Sequence, residues 1–374
     1  MSKIAIIGTT SWGKTLATVL SRGENQVFLW ARTDEEADEV RKIGPDPAKH
    51  GVPFPKQVTI TSSMEEAVSR ARAVMLVVPS QTMRRNIRLA SPYLKKGILI
   101  ISAAKGLEVG SNKRMSQVIA EEINRKLHPY ICVMSGPNLS REIFQNLPAA
   151  TVVAADDEKT AKEAQKILTV PNFCVYTNTD VVGVELGGAL KNIIALAAGM
   201  MDGLKCGDNA KAAMITRGLT EITALGVAMG ANPLTFSGLA GIGDLITTCA
   251  SPLSRNHYVG EELAKGRSTM DITASMTGVA EGVATTAVAL ELAKKQKIEM
   301  PVTERMFKVL YDDVAPSEVI NELIGLEGRH ELDGRRWKLF SIFRRRKTPQ
   351  NGEVKKNSNG KKPNNASKKN SSKA

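Results

Sequence analysis

Ile4-Ala5-Ile6-Ile7-Gly8-Thr9-Thr10-Ser11-Trp12-Gly13 stands at the start of the chain and decides how the rest is read. Four apolar residues predict a buried strand, the glycine predicts a turn, and a helix is expected from about residue 12 to 21. A strand that turns through glycine into a helix gathers backbone N–H groups and the positive helix end at one point. A pyrophosphate needs such a cradle. Gly8 serves the bend, and Gly13 lets the helix pack on the strand. The middle glycine of the usual fingerprint is replaced by Thr10, so a side chain has to be accommodated near the phosphates.

Outward from this turn the alternation continues. Val27-Phe28-Leu29-Trp30 predicts the second strand, and Thr33 can cap the acidic helix behind it. Further strands are expected at 58–61, 74–78, 98–101 and 131–134, with helices between most of them. Such a pattern means βαβ units and a mostly parallel sheet. Two more strand-like runs, 151–155 and 173–176, flank a helix at about 157–168 and should extend the same sheet. After Asp180 the sequence turns rich in Ala, Leu, Gly and Met with helical periodicity, which predicts a second, all-helical domain. The expected division is 1–179, 180–330 and a basic tail, 335–374, disordered from about 348. No internal repeat is visible.

Charge locates that tail. The 374-residue chain has 51 Lys/Arg against 38 Asp/Glu; residues 335–374 hold 14 of the former and one of the latter, Glu353. That leaves 37 of each in the body, so the basic balance does not make the body a nucleic-acid binder. No stretch approaches the ~18 uninterrupted apolar residues of a membrane span. The start lacks the apolar core and cleavage site of a signal peptide. Cys132, Cys174, Cys206 and Cys249 form no close pair, which suits a reducing cytoplasm without disulfide or zinc. No Asp/Glu/His cluster points to a metal.

Several stretches carry residues suited to chemistry. Trp30-Ala31-Arg32 ends the second strand where a ribose-binding acid is common; Arg32 can instead meet a 2′-phosphate, or be a solvated surface residue. Ser102-Ala103-Ala104-Lys105-Gly106-Leu107 follows the fifth strand, where ligands of open α/β sheets bind. Ser135-Gly136-Pro137-Asn138-Leu139-Ser140-Arg141-Glu142 makes a small-residue turn into a helix and suits a phosphorylated or hydroxylated ligand. In Val184-Glu185-Leu186-Gly187-Gly188-Ala189-Leu190-Lys191-Asn192 a lysine sits on a helix expected to be buried. Burial lowers a lysine's pKa and poises it for proton transfer, unless it snorkels to solvent. Gly238-Leu239-Ala240-Gly241-Ile242-Gly243-Asp244 and Ser254-Arg255-Asn256 offer a hydroxyl-binding carboxylate and a phosphate-binding arginine. Gly278-Val279-Ala280-Glu281-Gly282 is expected to be a mobile loop near a cofactor. His257, beside Arg255 and Asn256, is read as structural.

Together these motifs, with Ile215-Thr216-Arg217-Gly218-Leu219, resemble the bacterial NAD(P)-dependent glycerol-3-phosphate dehydrogenase family from about Lys3 to Glu327. The resemblance implies a Rossmann-type dinucleotide-binding domain followed by an all-helical, 6-phosphogluconate dehydrogenase-like domain. It implies reduction of dihydroxyacetone phosphate to sn-glycerol 3-phosphate with NADPH or NADH, for glycerophospholipid synthesis in the cytoplasm. Carried over by position, it puts Gly8, Ser11, Trp12, Gly13, Arg32, Lys105, Ser140, Arg255, Val279 and Glu281 on the cofactor. Lys105, Gly136, Asn138, Lys191, Asp244, Ser254, Arg255 and Asn256 would hold the substrate, with Lys191 the proton acceptor in the oxidative direction. Asn138 stands where the family commonly has Thr or Ser.

The alternatives are a hydroxy-acid or ketopantoate-type reductase of the same architecture and a non-catalytic NADP-binding sensor. A homodimer is expected, as is NADPH use at least as good as NADH use. In the tail, Leu339, Phe340 and Phe343 among Arg and Lys have the composition of a segment that meets anionic membranes weakly.

Overall fold

A computed structural model describes residues 2–46, 50–276 and 278–324. The expected basic tail, including Leu339, Phe340 and Phe343, lies outside the described residues.

Eight strands form one sheet: β1 (Ser2–Ile7), β2 (Asn25–Trp30), β3 (Val58–Thr61), β4 (Ala73–Leu76), β5 (Leu99–Ser102), β6 (Ile131–Ser135), β7 (Ala149–Ala154) and β8 (Phe173–Asn178). Their order is β3-β2-β1-β4-β5-β6-β7-β8. All neighbours run parallel except β6 and β7. The helices between them are α1 (Ser11–Leu20), α2 (Asp34–Ile43), α3 (Met64–Val68), α4 (Met83–Ala90), α5 (Met115–Glu122), α6 (Ser140–Phe144) and α7 (Glu158–Leu168). The two-residue period of a strand sends alternate side chains to opposite faces. Ile4 and Ile6 join Leu16, Leu29 and Leu168 on one side, while Ala5 and Ile7 join Ile87 and Ile119 on the other. This is a three-layer Rossmann-type domain, and the runs 151–155 and 173–176 do extend its sheet. The single antiparallel pairing has no counterpart in the periodicity, which is the same for either strand direction.

The strand order places β1 between β2 and β4, where the chain reverses its direction of winding. Crevices for ligands open at such switch points. Gly8 lies there with φ +116°, and a Cβ on it would stand 2.5 Å from the Val77 carbonyl oxygen. A Cβ on Gly13 would overlap the Gly8 carbonyl oxygen. The turn is therefore closed to side chains at both glycines. Thr10 is accommodated by turning its side chain inward. Its Oγ1 accepts from the Gly13 N–H and donates to the Val77 carbonyl, both at 3.1 Å. The residue caps α1, and the missing glycine is replaced by a helix cap.

The remaining described elements are helical: α8 (Val181–Gly203), α9 (Asp208–Ala228), α10 (Asp244–Ala250), α11 (Arg255–Ala264), α12 (Thr269–Ser275), α13 (Glu281–Gln296), α14 (Pro301–Tyr311) and α15 (Pro316–Ile324). Helix α8 is their axis. It is long and apolar enough to cross a membrane by length and composition, with mean hydropathy 1.6, but 89 % of its apolar window is buried in the protein. Glu185 and Lys191 interrupt it, so no uninterrupted apolar run appears in the sequence. Other helices wrap it, and Val181 and Val184 pack on Val133, Val152 and Ala154 of β6 and β7. The seam between sheet and helices thus lies along the first turns of α8. Its anchor is Glu185, which accepts from the Ser116 backbone N–H at 2.7 Å and its hydroxyl at 2.6 Å, and pairs with Arg114.

Candidate active site

Two glycines let three elements converge. A Cβ on Gly187 would overlap the Ala240 carbonyl oxygen, and one on Gly188 would overlap Ser135 Oγ. Helix α8 therefore meets the π-helical turn Leu239–Gly243 on one side and the end of β6 on the other. Lys191 lies one helical turn further along, and Asp244 directly follows the π turn.

Asp244 is 1 % exposed and bridges two lysines. Its Oδ1 accepts from Lys191 Nζ, and its Oδ2 accepts from Lys105 Nζ at 2.6 Å. Lys191 also donates to Thr248 Oγ1, and Lys105 to the Gly136 carbonyl at 2.7 Å. Ser135 Oγ lies 3.3 Å from Asp244 Oδ2. An ammonium has three N–H donors. Each lysine makes two hydrogen bonds within this cluster, one fewer than its donors. Burial pushes the Lys105 ammonium down to about 8, against the pull of Asp244. Burial would raise the Asp244 carboxyl, yet the two neighbouring ammonium groups outweigh it and hold it below the ordinary carboxylate range. Two cations on one carboxylate leave a net positive centre at the seam, suited to an anionic substrate or a developing alkoxide.

The other expected residues make different contacts. Asn192 Nδ2 donates to the Lys105 carbonyl at 3.1 Å, and its Oδ1 accepts from Asn256 Nδ2 at 2.9 Å. Asn256 Oδ1 accepts from the Gly282 N–H at 3.0 Å. Asn256 thus ties α8, α11 and α13 together. Ser254 caps α11, its Oγ accepting from the His257 N–H at 3.2 Å. His257 is buried against Asp202, with Nε2 at 2.8 Å, away from the lysine cluster's hydrogen bonds. Arg255 has its guanidinium beside Gly278, and burial lowers its pKa against the opposing influence of Glu281. Asn138 Nδ2 donates to Thr151 Oγ1 at 3.0 Å, while its Oδ1 is buried without a hydrogen-bond partner. That orphaned oxygen is available to a ligand hydroxyl.

On the nucleotide side, Ser11 and Trp12 open α1, where N–H groups precede the first intrahelical bond. The Trp12 ring packs edge-on against Phe173, centroids 6.4 Å apart. Ser140 opens α6 and its carbonyl accepts from Thr15 Oγ1 at 3.3 Å. Val279 is 44 % exposed. Glu281, expected in a mobile loop, instead begins α13 and accepts from the Ser80 N–H at 2.8 Å and from its hydroxyl. Burial raises the Glu281 carboxyl, opposed by those Ser80 bonds and by Arg255. Gly8, Gly13 and the α1 terminus fit a dinucleotide pyrophosphate. Thr248, Ser80 and Glu36 were not singled out in the sequence. Thr248 meets Lys191 across 57 residues of chain, Ser80 meets Glu281 across 201 and Glu36 meets Thr9 across 27, contacts that no local pattern reveals.

A Rossmann-type sheet with a glycine turn at its switch point, joined to a helical domain that brings a buried lysine to the seam, defines a nicotinamide-dependent oxidoreductase. Family models named for the N- and C-termini of NAD-dependent glycerol-3-phosphate dehydrogenase match residues 3–161 and 180–321. Glycerol-3-phosphate dehydrogenase [NAD(P)+] of Dehalococcoides mccartyi is 59 % identical, covering 95 % of this chain and 99 % of that protein. Its counterpart in Shouchella clausii is 44 % identical over 89 % of this chain and 98 % of its own. The solved glycerol-3-phosphate dehydrogenase of Coxiella burnetii superposes with a TM-score of 0.80 at 35 % identity, over 86 % of this chain and 98 % of that one. The chain belongs to the NAD-dependent glycerol-3-phosphate dehydrogenase family.

Proposed function

We propose that this protein reduces dihydroxyacetone phosphate to sn-glycerol 3-phosphate with NADPH or NADH, in the cytoplasm, in the service of glycerophospholipid synthesis. The observation that carries the reading is the pair of lysines on buried Asp244, set where the nucleotide-binding sheet meets the helical domain. The proposed division gives the dinucleotide to residues 1–179 and the substrate to 180–330.

The nicotinamide, when bound, supplies the hydride for C2. Lys191 donates the proton that the C2 oxygen gains, and takes it back in the oxidative direction. Asp244 and Thr248 fix its ammonium so that the remaining N–H is free to donate. Lys105 adds a second positive charge against the developing alkoxide. Arg255, beside the glycine-flanked start of α13, anchors the phosphate dianion, with Ser254 and Asn256 shaping that pocket. Asn138 and Gly136 line the substrate from the turn after β6. Ser11, Trp12, Arg32 and Ser140 hold the dinucleotide at the carboxyl ends of the strands, and Val279 and Glu281 close the nicotinamide side.

The test is oxidation of NADPH and NADH by the purified full chain with dihydroxyacetone phosphate, beside ketopantoate, and identification of the product. No turnover of the triose phosphate overturns the proposal, and faster ketopantoate reduction moves the chain to the alternative. The proposal extends to a homodimer and, on the composition of the basic tail, to weak contact of that tail with anionic membranes. Light scattering that gives a monomer sinks the first. Failure of the full chain to sediment with anionic liposomes at low salt sinks the second.

A further inference from the structure

Strand β2 ends without an acid, yet a carboxylate stands there. Glu36, in the first turn of α2, accepts from the Thr9 hydroxyl at 2.5 Å, from the Arg32 backbone N–H at 2.9 Å and from Arg32 Nε at 2.9 Å. Thr9 belongs to the glycine turn after β1, and Arg32 follows β2. One side chain thus links the two strand ends that border the crevice. Helix α2 does not need this for capping, since Thr33 Oγ1 already accepts from the Glu36 N–H at 3.2 Å. A capping-box glutamate would reach back to the backbone of the cap residue. Glu36 passes Thr33 and takes Arg32 instead. Its side chain is 20 % exposed, whereas that of Arg32 is 71 % exposed. Burial would raise the Glu36 carboxyl, but the bonds from Arg32 and Thr9 outweigh it and keep it below its ordinary range, hence ionised at neutral pH.

A carboxylate at this place accepts a hydrogen bond from an adenosine-ribose 2′-hydroxyl. Toward a 2′-phosphate it is a like charge, and it holds Nε of the arginine that would pair with that phosphate. We propose that Glu36 is a specificity-determining residue for the coenzyme, favouring the 2′-hydroxyl of NAD(H) and opposing the 2′-phosphate of NADP(H), with Arg32 as its counterweight. The proposal runs against the expectation from sequence that NADPH is used at least as well as NADH. The inference rests on the reading that Arg32 lies at the dinucleotide.

The experiment is a fluorescence titration of NADPH and NADH into the full-length protein without substrate, for wild type, Glu36→Gln, Glu36→Ala and Arg32→Ala, with melting temperatures measured alongside. Glu36→Gln keeps a hydrogen-bond acceptor and drops the charge. The Kd ratio of NADPH to NADH should fall about tenfold in Glu36→Gln, the scale of one removed like-charge contact, and move the same way in Glu36→Ala. A ratio that stays within about twofold of wild type in the folded glutamate variants overturns the proposal, whether or not the melting temperature drops. Equal weakening of both coenzymes does so too, because an anchoring role would produce that result. Arg32→Ala reads the underlying assumption separately. If it leaves both affinities unchanged, Arg32 is not at the dinucleotide, while the glutamate variants still decide the position of Glu36.

Discussion

The turn after β1 and the cluster around Asp244 solve the problem of holding charge by different means. The turn is built of backbone: two glycines closed to any Cβ, and a helix end whose N–H groups face the crevice. Its one departure from the usual pattern, Thr10, costs nothing visible because the side chain finds work as a cap. The Asp244 cluster is built of side chains from β5's loop, α8 and α10, each depending on the others. There replacement of Asp244 leaves buried ammonium groups without their partner, a change that costs about 3–5 kcal/mol in other proteins. The turn admits a side chain at Thr10 but at neither Gly8 nor Gly13, and the buried cluster admits no loss of Asp244 without leaving charge unpaired.

Lys191→Ala puts that contrast under the heaviest load. Asp244 keeps Lys105 in this variant, so the fold should survive while kcat falls roughly 10²–10⁴-fold, the scale of a lost general acid. Circular dichroism with steady-state kinetics reads both halves, and near-normal turnover would take Lys191 out of the mechanism. Next in size is Arg255→Ala. Loss of a charge-assisted contact to a phosphate costs about 1.5–3 kcal/mol, so KM for dihydroxyacetone phosphate should rise about tenfold to a hundredfold. An unchanged KM means the phosphate is anchored elsewhere.

The smallest effect is a pH dependence. Lys105, held down to about 8, is charged below that pH and neutral above it. Affinity for the dianionic substrate should therefore weaken several-fold as pH rises through about 8, the direction expected when a cation is lost beside an anion. Lys105→Arg, which stays charged, should remove the inflection. A KM that is flat from pH 7 to 9.5 in wild type would show that Lys105 does not face the substrate charge.

Much of this architecture is legible in the residues. Ile4–Ile7 before Gly8, the alternation up to Phe173 and the Ala/Leu/Gly texture after Asp180 announce the sheet and the helices because periodicity is local. Lys191 was conspicuous because a cation stood in an apolar helix. What escaped depends on partners far along the chain. Nothing near Asp244 says that both its oxygens accept from lysines 53 and 139 residues away. Glu281 read as part of a loose loop for the same reason, since Ser80, which holds it, is 201 residues distant. No acid stands at the end of β2 itself, and Glu36, four residues past Arg32, reaches that strand end only through the first turn of α2.

The glycine pair on α8 has a consequence for how the sequence can change length. Gly187 and Gly188 fix the helix against the π turn and β6, and Lys191 is measured from that fixed point by the pitch of the helix. One inserted residue between them would advance the lysine by about 1.5 Å and swing it through about 100°, off the face that meets Asp244. The surface loops of this protein can lengthen or shorten over generations, but the four-residue step from Gly187 to Lys191 behaves as a ruler that permits changes of letter and not of count.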